Sequence, residues 1–137
     1  MRVVLDTNVI IAAFAARGLC AEIFEVCLAE HTIIISEHIL SEIHKNLIEK
    51  IHLPRIVVQD IVKYLKDTAE LFEPKELDKL VCRDKEDNKI LGTALSGNAE
   101  FIITGDNDLL TLKKYKGVEI ITPREYWNFL REQTKGT

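Results

Sequence analysis

Acidic side chains stand directly after two of the predicted strands of this chain. Asp6 ends the β-branched run 2–5, and Asp106 follows the run 101–104 with only Gly105 between them. The carboxyl ends of parallel strands meet at one edge of a sheet, and ligands of such sheets bind there. Aspartate is also a favoured N-cap where a strand turns into a helix, and for one such residue alone capping is the commoner role. Two cases at one edge favour a binding site.

Three further acids give weaker signals. Asp84 and Asp87 stand in the charged segment 84–88, ahead of a predicted helix. An aspartate cap with its reciprocal partner three residues on explains them as well as a binding role does. Glu42 flanks the apolar stripe of a predicted helix, and periodicity alone predicts a solvated surface residue at that position.

Carboxylates that converge need a cation. Two unit charges ~4 Å apart repel by about 4 kcal/mol at an effective dielectric constant of about 20, so clustered carboxylates bind a cation or take up protons. Oxygen ligands without histidine or cysteine favour Mg²⁺ or Mn²⁺ over zinc. A site of this type, with one or two ions, can activate water and polarise a phosphodiester. We therefore expect a Mg²⁺ or Mn²⁺ site at the sheet edge.

The histidines and lysines give less specific patterns. The histidines match no metal-binding spacing such as H-E-x-x-H, and we expect them to be mostly exposed. They are His31, His38, His44 and His52. Lys113, Lys114 and Lys116 form the only basic cluster near a predicted site strand. Such a run is usually a solvated loop, although it also suits contact with a nucleic-acid backbone.

Length and composition predict one domain over residues 1–137. The hydrophobic fraction of 47% and the charged fraction of 29% are near the averages of soluble globular proteins. No apolar run approaches the ~20 residues of a membrane span, and Asp6 comes too early for a signal peptide, so we expect a cytoplasmic protein without membrane association. The three cysteines form no C-x-x-C pair and are expected to be small buried side chains. The net charge of -4 counts only weakly against a nucleic-acid substrate, because a bound metal inverts the local field.

Strands and helices alternate along the chain. Strand character is found at 2–5, 33–35, 101–104 and 118–121, with 80–82 as a possible fifth strand. Helical spacing covers 7–14, 21–30, 37–51, 54–72, 88–96, 108–112 and the segment that begins at Pro123. Apolar strands that alternate with helices predict an α/β fold, in which a single three-layer α/β/α domain contains a mostly parallel sheet of four or five strands.

Individual residues predict where some of these helices begin and end. Ser36 is expected to cap the helix that follows it. Gly97 is expected to end a helix in the left-handed conformation. Thr122, Pro123 and Glu125 combine a threonine cap, a proline at the first helical position and a glutamate three residues after the cap, which predicts a helix start.

The order and spacing of these motifs resemble the PIN-domain family. The resemblance covers essentially the whole chain and rests on the segments 4–9, 84–91 and 104–109, together with Glu42. The closing segment 121–125 is similar to a group of toxin components of toxin–antitoxin systems, the VapC-like ribonucleases.

The resemblance implies a PIN-like fold and a Mg²⁺- or Mn²⁺-dependent endoribonuclease that cleaves single-stranded RNA. Four acids would hold the metal and carry catalysis: Asp6, Glu42, Asp87 and Asp106. Two more would be auxiliary metal ligands, Asp84 and Asp108, and it stays open whether Asp84 or Asp87 is the principal one. Asn8 and Thr104 match polar positions that would orient ligands or water.

The resemblance also implies partners. Toxins of this group are commonly homodimers and are held inactive by a cognate antitoxin protein in a hydrophobic groove. The amphipathic helices predicted at 37–51 and 54–72 are the candidates for that surface, although core packing is the commoner role of such helices.

Other functions compete with the ribonuclease. A receiver-like, Mg²⁺-binding phosphorylation domain is also a small parallel α/β fold, but it needs an acidic pair at the first strand, where this chain has Asp6-Thr7-Asn8. A haloacid-dehalogenase-like phosphatase needs a second aspartate at the position of Asn8. A catalytically inactive PIN-like module that binds RNA or protein is a third alternative, against which the retained acids argue.

Overall fold

Short runs of consecutive apolar residues form the strands, and apolar residues at helical spacing form the helices between them. The computed structural model describes residues 1–135, so Gly136 and Thr137 of the predicted domain lie outside the described residues. The strands are β1 (Arg2–Leu5), β2 (Thr32–Ile35), β3 (Glu70–Leu71), β4 (Phe101–Ile103), β5 (Lys114–Tyr115) and β6 (Val118–Ile121). The helices are α1 (Thr7–Ala15), α2 (Leu19–Glu30), α3 (Glu37–Glu49), α4 (Arg55–Thr68), α5 (Lys85–Ser96), α6 (Asn107–Leu110) and α7 (Pro123–Lys135).

The strands form one mixed sheet in the order β3-β2-β1-β4-β6-β5. All neighbours pair in parallel except β5, which is antiparallel to β6. The predicted α/β fold with a mostly parallel sheet is confirmed. The sheet has six strands rather than four or five, because the two-residue strands β3 and β5 add one pairing at each edge.

Helices cover both faces of this sheet. Val3, Val4 and Leu5 are consecutive in β1, and each is 0% exposed. Successive side chains of a strand point to opposite faces, so burial of all three requires cover on both sides. Helix α5 packs against β1, β2 and β4, whereas α2 contacts β2, α1 and α7. No helix within residues 1–135 is long and apolar enough to cross a membrane.

Residues 80–82 and the C-terminal ends of α4 and α3 differ from the prediction. Residues 80–82 are not a strand, since the side chain of Asn88 accepts hydrogen bonds from Val81 N and Cys82 N and holds this segment as a loop. Helix α4 ends at Thr68 instead of continuing to residue 72, because the chain beyond it pairs with β2 as β3. Helix α3 likewise ends at Glu49, two residues before the predicted end.

Helix α5 begins at Lys85, three residues earlier than predicted. Asp84 is its N-cap, and Asp84 Oδ1 accepts a hydrogen bond from Glu86 N at 2.9 Å. Such a cap satisfies a backbone N–H that has no partner within the helix. The earlier start places Asp87 in the first turn of the helix rather than in the loop ahead of it.

The caps at Ser36 and Thr122 are confirmed, whereas the prediction for Gly97 is wrong. Ser36 Oγ accepts from Ile39 N at 3.2 Å, and Thr122 Oγ1 accepts from Glu125 N at 3.1 Å. Gly97 has a φ of -89°, and the next residue, Asn98, takes the left-handed conformation with a φ of 53°. Glycine is required at position 97 for another reason, since a Cβ there would lie 2.4 Å from Ile34 Cγ2.

The order of the strands creates a crevice at one edge of the sheet. β1 lies between β2 and β4. The chain first adds β2 and β3 on one side of β1, and then crosses to the other side of β1, where it forms β4. The connections that follow β1 and β4 therefore diverge, which is the arrangement that opens a ligand crevice beyond the carboxyl ends of parallel strands.

Candidate metal centre

The crevice brings Asp6 and Asp106 together. Leu5 and Ile103 are paired at the ends of β1 and β4, and Asp6 N donates to Ile103 O at 3.0 Å. Asp6 occupies the N-cap position of α1, but its side chain makes no cap hydrogen bond there. Its Oδ2 instead accepts a hydrogen bond from Thr104 Oγ1 at 2.7 Å. Helix capping therefore does not explain the side chain of Asp6.

Thr104 connects the two strand ends. It is 0% exposed, and its hydroxyl donates to Asp6 while accepting from Asp106 N at 3.0 Å. Asp106 is the N-cap of α6, and its Oδ1 accepts from Asp108 N at 2.8 Å. The capping role is thus real for Asp106, but it uses only one of the two carboxylate oxygens.

Asp87 is the most buried acid of the group. It is 6% exposed, and its Oδ2 has no hydrogen-bond partner among the described residues. Burial, followed by the charge and contact of Asp106 and the charges of Asp84 and Asp6, raises the pKa of Asp87 to about 7. A buried carboxylate oxygen in this state needs a proton or a cation to replace the lost water.

The pKa of Asp6 is also raised. The main cause is burial, to which the charge of Asp106 adds, and the hydrogen bond from Thr104 opposes the shift. Two neighbouring carboxyl groups that both resist ionisation indicate a site built for a positive charge that the protein chain itself does not supply.

The auxiliary acids take different positions. Asp108 offers a carboxylate oxygen within 4.8 Å of oxygens of both Asp87 and Asp106, although it also pairs with the exposed Arg83 at 3.4 Å. Asp84 lines the same cavity but is exposed and is engaged as the cap of α5.

A polar cavity of about 370 Å³ extends from these acids along α3. Asn8, which is exposed, lines it together with the half-buried Glu42. Glu42 belongs to a group of possible ligands with His38 and Glu86, in which one ligand atom of each residue lies within 4.8 Å of the other two. The structure therefore brings Glu42 into the cavity that Asp6, Asp87 and Asp106 also line.

His38 also lines the cavity, which the sequence did not predict. Its Nε2 contacts the Glu86 carboxylate, and its side chain is only 15% exposed. The expectation of exposure holds for His44 and His52 and is wrong for His31 and His38, which are both half-buried. The spacing of His38 and Glu42, which are four residues apart on one helix, is a signal that would have linked them.

The predicted basic cluster lies away from the cavity. Lys114 belongs to β5, and Lys116 pairs with Asp78 at 3.2 Å, which raises the pKa of Lys116. Among the described residues, two lysines line the cavity: Lys45, which lies in α3, and Lys50, which directly follows α3. Lysines that contact the phosphate backbone of a nucleic acid at this cavity would therefore come from α3 and its C-terminal end, and not from the β5–β6 hairpin.

Comparison with known proteins gives consistent results. The chain is 33% identical over 140 residues to an uncharacterized protein of Methanocaldococcus jannaschii, covering 92% of this chain and 89% of that protein. The fold is similar to VapBC2 from Rickettsia felis, solved bound to a DNA fragment from their promoter, with a TM-score of 0.61, 15% identity and coverage of 89% of this chain and 98% of that one. It is also similar to VapBC-1 from nontypeable Haemophilus influenzae, with a TM-score of 0.62, 18% identity and coverage of 90% and 99%. Residues 2–108 match the PIN domain family, so this chain belongs to that family.

Proposed function

We propose that this protein is a divalent-metal-dependent endoribonuclease that cleaves single-stranded RNA, and that it is the toxin of a toxin–antitoxin pair. The observation that carries the proposal is the buried Asp87 Oδ2 without a hydrogen-bond partner, beside Asp6 and Asp106 at the ends of β1 and β4. Membership of the PIN family removes the receiver-like alternative and supports nuclease chemistry at this position.

The donor set fits Mg²⁺ or Mn²⁺. Asp6, Asp87 and Asp106 would hold the ion, with Asp108 as an auxiliary ligand, and all of them offer hard oxygen atoms. Asp87 is preferred over Asp84 as the principal ligand, because Asp84 Oδ1 is used to cap α5 whereas Asp87 Oδ2 is unpartnered. The bound cation would polarise the phosphodiester and increase the acidity of water.

The protein groups around this set fix its geometry. The hydroxyl of Thr104 has one hydrogen, which it gives to Asp6, so its oxygen is left to accept from Asp106 N. That arrangement holds the Asp6 carboxylate in one orientation relative to the start of α6. Asn8 faces the same cavity and is placed to bind a polar group of the substrate.

Two lysines line the cavity beside the acids. Lys45 and Lys50 have no ion-pair partner among residues 1–135, although they share the cavity with many carboxylates. Unpaired cations next to a metal site are suited to the phosphates that flank the cleaved bond, because such contacts supply sequence-independent affinity for a polyanion.

The test is cleavage of a panel of labelled single-stranded RNAs with Mn²⁺, Mg²⁺ or EDTA. The native protein is compared with Asp6→Asn and Asp106→Asn, which keep the side-chain size and remove a charge. We expect cleavage that requires metal and is lost in both variants. Cleavage that is equal in the variants, or that persists in EDTA, would contradict the proposal. No cleavage by the native protein, together with intact metal binding, would instead favour the catalytically inactive module that binds RNA or protein.

The proposed antitoxin site is an apolar groove between α1, α2 and α4. The groove measures about 510 Å³ and includes Phe14 and Phe24, opposite Val57 and Tyr64. Val57 is 39% exposed and Tyr64 is 46% exposed, so apolar surface is open to solvent. Of the two helices predicted as candidates, α4 alone contributes, because the apolar stripe of α3 is buried in the core.

Two relatives of known structure support a protein partner. Both structures compared above are of VapBC proteins, and one of them was solved with a DNA fragment from their promoter. We propose that an apolar segment of a cognate antitoxin occupies the groove of this chain, and that the toxin itself is a homodimer. Size-exclusion chromatography with light scattering, on the chain alone and with the product of a neighbouring small gene, tests both statements.

A further inference from the structure

We infer that a pocket beside the metal centre binds one base of the RNA substrate, a few nucleotides from the bond that is cut. The pocket is lined by residues of α5 and of the segment 74–80 that precedes it, and it shares no lining residue with the cavity of the aspartates. The inference rests on the proposed function, because it names the part of the substrate that this second surface recognises.

The segment that borders the pocket is fixed to α5 at both ends. At one end, Lys75 N donates to Gly92 O at 3.0 Å, and a Cβ at Gly92 would lie 2.3 Å from Lys75 O, so this close approach requires glycine. At the other end, Asn88 Oδ1 accepts from Val81 N at 3.2 Å and from Cys82 N at 2.9 Å. Between these attachments the segment and α5 border a pocket of about 550 Å³, which is a usual size for a ligand site.

The pocket combines apolar walls with positive charge. Leu77 and Leu80 line it, and Leu80 is 76% exposed although it is a large apolar side chain. The charged residues of the lining are Lys75, Lys79, Lys89 and Glu76. The three lysines form no ion pair within residues 1–135, and they stand in a chain whose net charge is -4. A ligand with an apolar ring on a negatively charged chain matches this lining, and a nucleotide of single-stranded RNA has that chemistry.

The pocket and the metal centre lie on opposite sides of the start of α5. Asp87 lines the metal cavity, whereas its neighbours Asn88 and Lys89 line the pocket. A helix with its side chains is ~10 Å wide, and a strand advances ~3.4 Å or more per nucleotide, so RNA at the metal centre reaches the pocket within about three nucleotides. Arg83 lies in the segment that connects the two places, with its guanidinium 3.4 Å from Asp108 Oδ1 and its side chain 90% exposed. It offers a cation to a phosphate between them.

This continuity with the metal centre favours RNA over a protein partner. An acidic protein segment would also match lysines around apolar walls. The carboxylates of the metal centre repel such a segment, however, whereas a phosphodiester is held there by the bound cation. RNA that is cut at the metal centre has to leave it past one of its sides, and the side of Arg83 leads to the pocket.

The structure also indicates how the pocket selects a base. Asn88, the neutral polar side chain of the lining, is already used, because its Nδ2 donates to Cys82 O at 2.8 Å and to Asp84 O at 3.2 Å while its Oδ1 accepts two bonds. Selection then depends on apolar contact rather than on hydrogen bonds to the edge of the base. Purines offer a larger flat surface than pyrimidines, so we expect a preference for purines.

The first test is cleavage of a randomised single-stranded RNA library with Mn²⁺, followed by sequencing of the cut ends. The native protein is compared with Leu80→Ser, which changes an exposed side chain and leaves the core intact. We expect a purine preference at one position within about three nucleotides of the cut, and its loss in Leu80→Ser. The control is Leu71→Ser, since Leu71 is an exposed leucine of β3 outside the pocket. It should keep the preference.

The second test removes the base instead of the side chain. In an RNA of the preferred sequence, the purine at that position is replaced by an abasic ribose. For the native protein we expect kcat/KM to fall by roughly 10-fold, through a higher KM. For Leu80→Ser, which has already lost this contact, we expect no further loss. A purely structural role of Leu80 would make the two losses additive, because they would then be independent.

The outcomes separate the pocket from the ribonuclease. Additive losses, or the same base preference in the native protein and Leu80→Ser, would overturn the pocket and leave the nuclease in place. Loss of binding to a co-expressed neighbouring gene product in Leu80→Ser, with unchanged base preference, would assign the surface to a protein. If the native protein cuts no RNA, the proposed function fails, and fluorescence anisotropy with purine and pyrimidine oligonucleotides decides on the pocket. Equal affinities for the two in the native protein would then overturn it.

Discussion

Thr104 and Asp6 are joined by a hydrogen bond of 2.7 Å, from the threonine hydroxyl to Asp6 Oδ2, although the two residues are 98 positions apart in the chain. The bond is possible because β1 and β4 are adjacent and parallel, so both residues leave the sheet at the same edge. The same hydroxyl also accepts from Asp106 N. One buried side chain therefore holds two of the proposed metal ligands in place.

Replacing Thr104 by valine should weaken metal binding and stability together. Valine has nearly the same shape but leaves Asp106 N without its acceptor, so we expect the free energy of unfolding to fall by about 1–3 kcal/mol. Loss of the bond that orients Asp6 should lower Mn²⁺ affinity by roughly 10–100-fold. Calorimetric titration and urea unfolding measure the two effects. The control is Thr104→Ser, which keeps the hydroxyl; equal effects in both variants would show that packing, and not the hydrogen bond, is responsible.

Asp87 should make the metal-free protein less stable as pH rises. Its pKa is raised to about 7 in the folded protein, mainly by burial and then by Asp106, whereas an unfolded aspartate titrates near pH ~4. Between these values the folded state binds more protons than the unfolded state, so the contribution of Asp87 to the free energy of unfolding falls through this interval. Below pH ~4 the contribution is fully present.

The variant Asp87→Asn removes that titration. In EDTA at pH 8 we expect it to be more stable than the native protein by about 1–3 kcal/mol, with the difference shrinking towards pH 4. Addition of Mn²⁺ should reverse the order, because only the native protein gains stability from the bound ion. Urea unfolding at several pH values measures this. A pH-independent difference between the two proteins would show that the ionisation of Asp87 is not the cause.

The sequence predicts those parts of the fold that depend on local pattern. β1 and β6 have the predicted bounds, because runs of consecutive buried apolar residues identify central parallel strands. The position of Asp6 and Asp106 at one sheet edge follows from the same pattern. By contrast, β3 and the early start of α5 depend on a pairing and a cap that periodicity does not encode.

Local sequence pattern predicts only part of the candidate site. Glu42 looks like a surface residue from its helix alone, and only the family resemblance gives it a functional role. His38 and Glu86 approach each other because α3 and α5 both reach the cavity, and nothing in either helix sequence records that contact. Tertiary contact between helices is the information that a single sequence does not supply.

Charged substitution in the apolar groove should abolish partner binding without unfolding the chain. Tyr64 is 46% exposed, so Tyr64→Lys places a charge where a partner would bury apolar surface and leaves the core unchanged. We expect loss of co-purification with the co-expressed product of the neighbouring small gene, and unchanged RNA cleavage by the chain alone. Lys63→Glu, an exposed change on the same helix that does not line the groove, is the control. Retained binding by Tyr64→Lys would place the partner elsewhere.

Lys45 and Lys50 should contribute electrostatic affinity for RNA. Each phosphate contact adds about 0.7 to the slope of log affinity against log salt for single strands, so alanine at one lysine should reduce the slope by roughly that amount. Fluorescence anisotropy with Asp6→Asn as the background measures binding without cleavage. Lys63→Ala is the matched control, since Lys63 is exposed on α4 and lies outside the cavity. Equal slopes in all three lysine variants would show that the strand does not follow α3.

Asparagine at positions 84 and 87 should separate the two acids that the sequence leaves undecided. Asparagine is as good an N-cap as aspartate, so Asp84→Asn keeps the hydrogen bond to Glu86 N, and we expect RNA cleavage within about 10-fold of native. Asp87→Asn removes the buried carboxylate whose Oδ2 is unpartnered, and we expect a loss on the order of 10³-fold in kcat/KM. Single-turnover cleavage at saturating Mn²⁺ compares them. A larger loss for Asp84→Asn would assign the principal ligand to the exposed cap residue, and the burial of Asp87 would then have only a structural role.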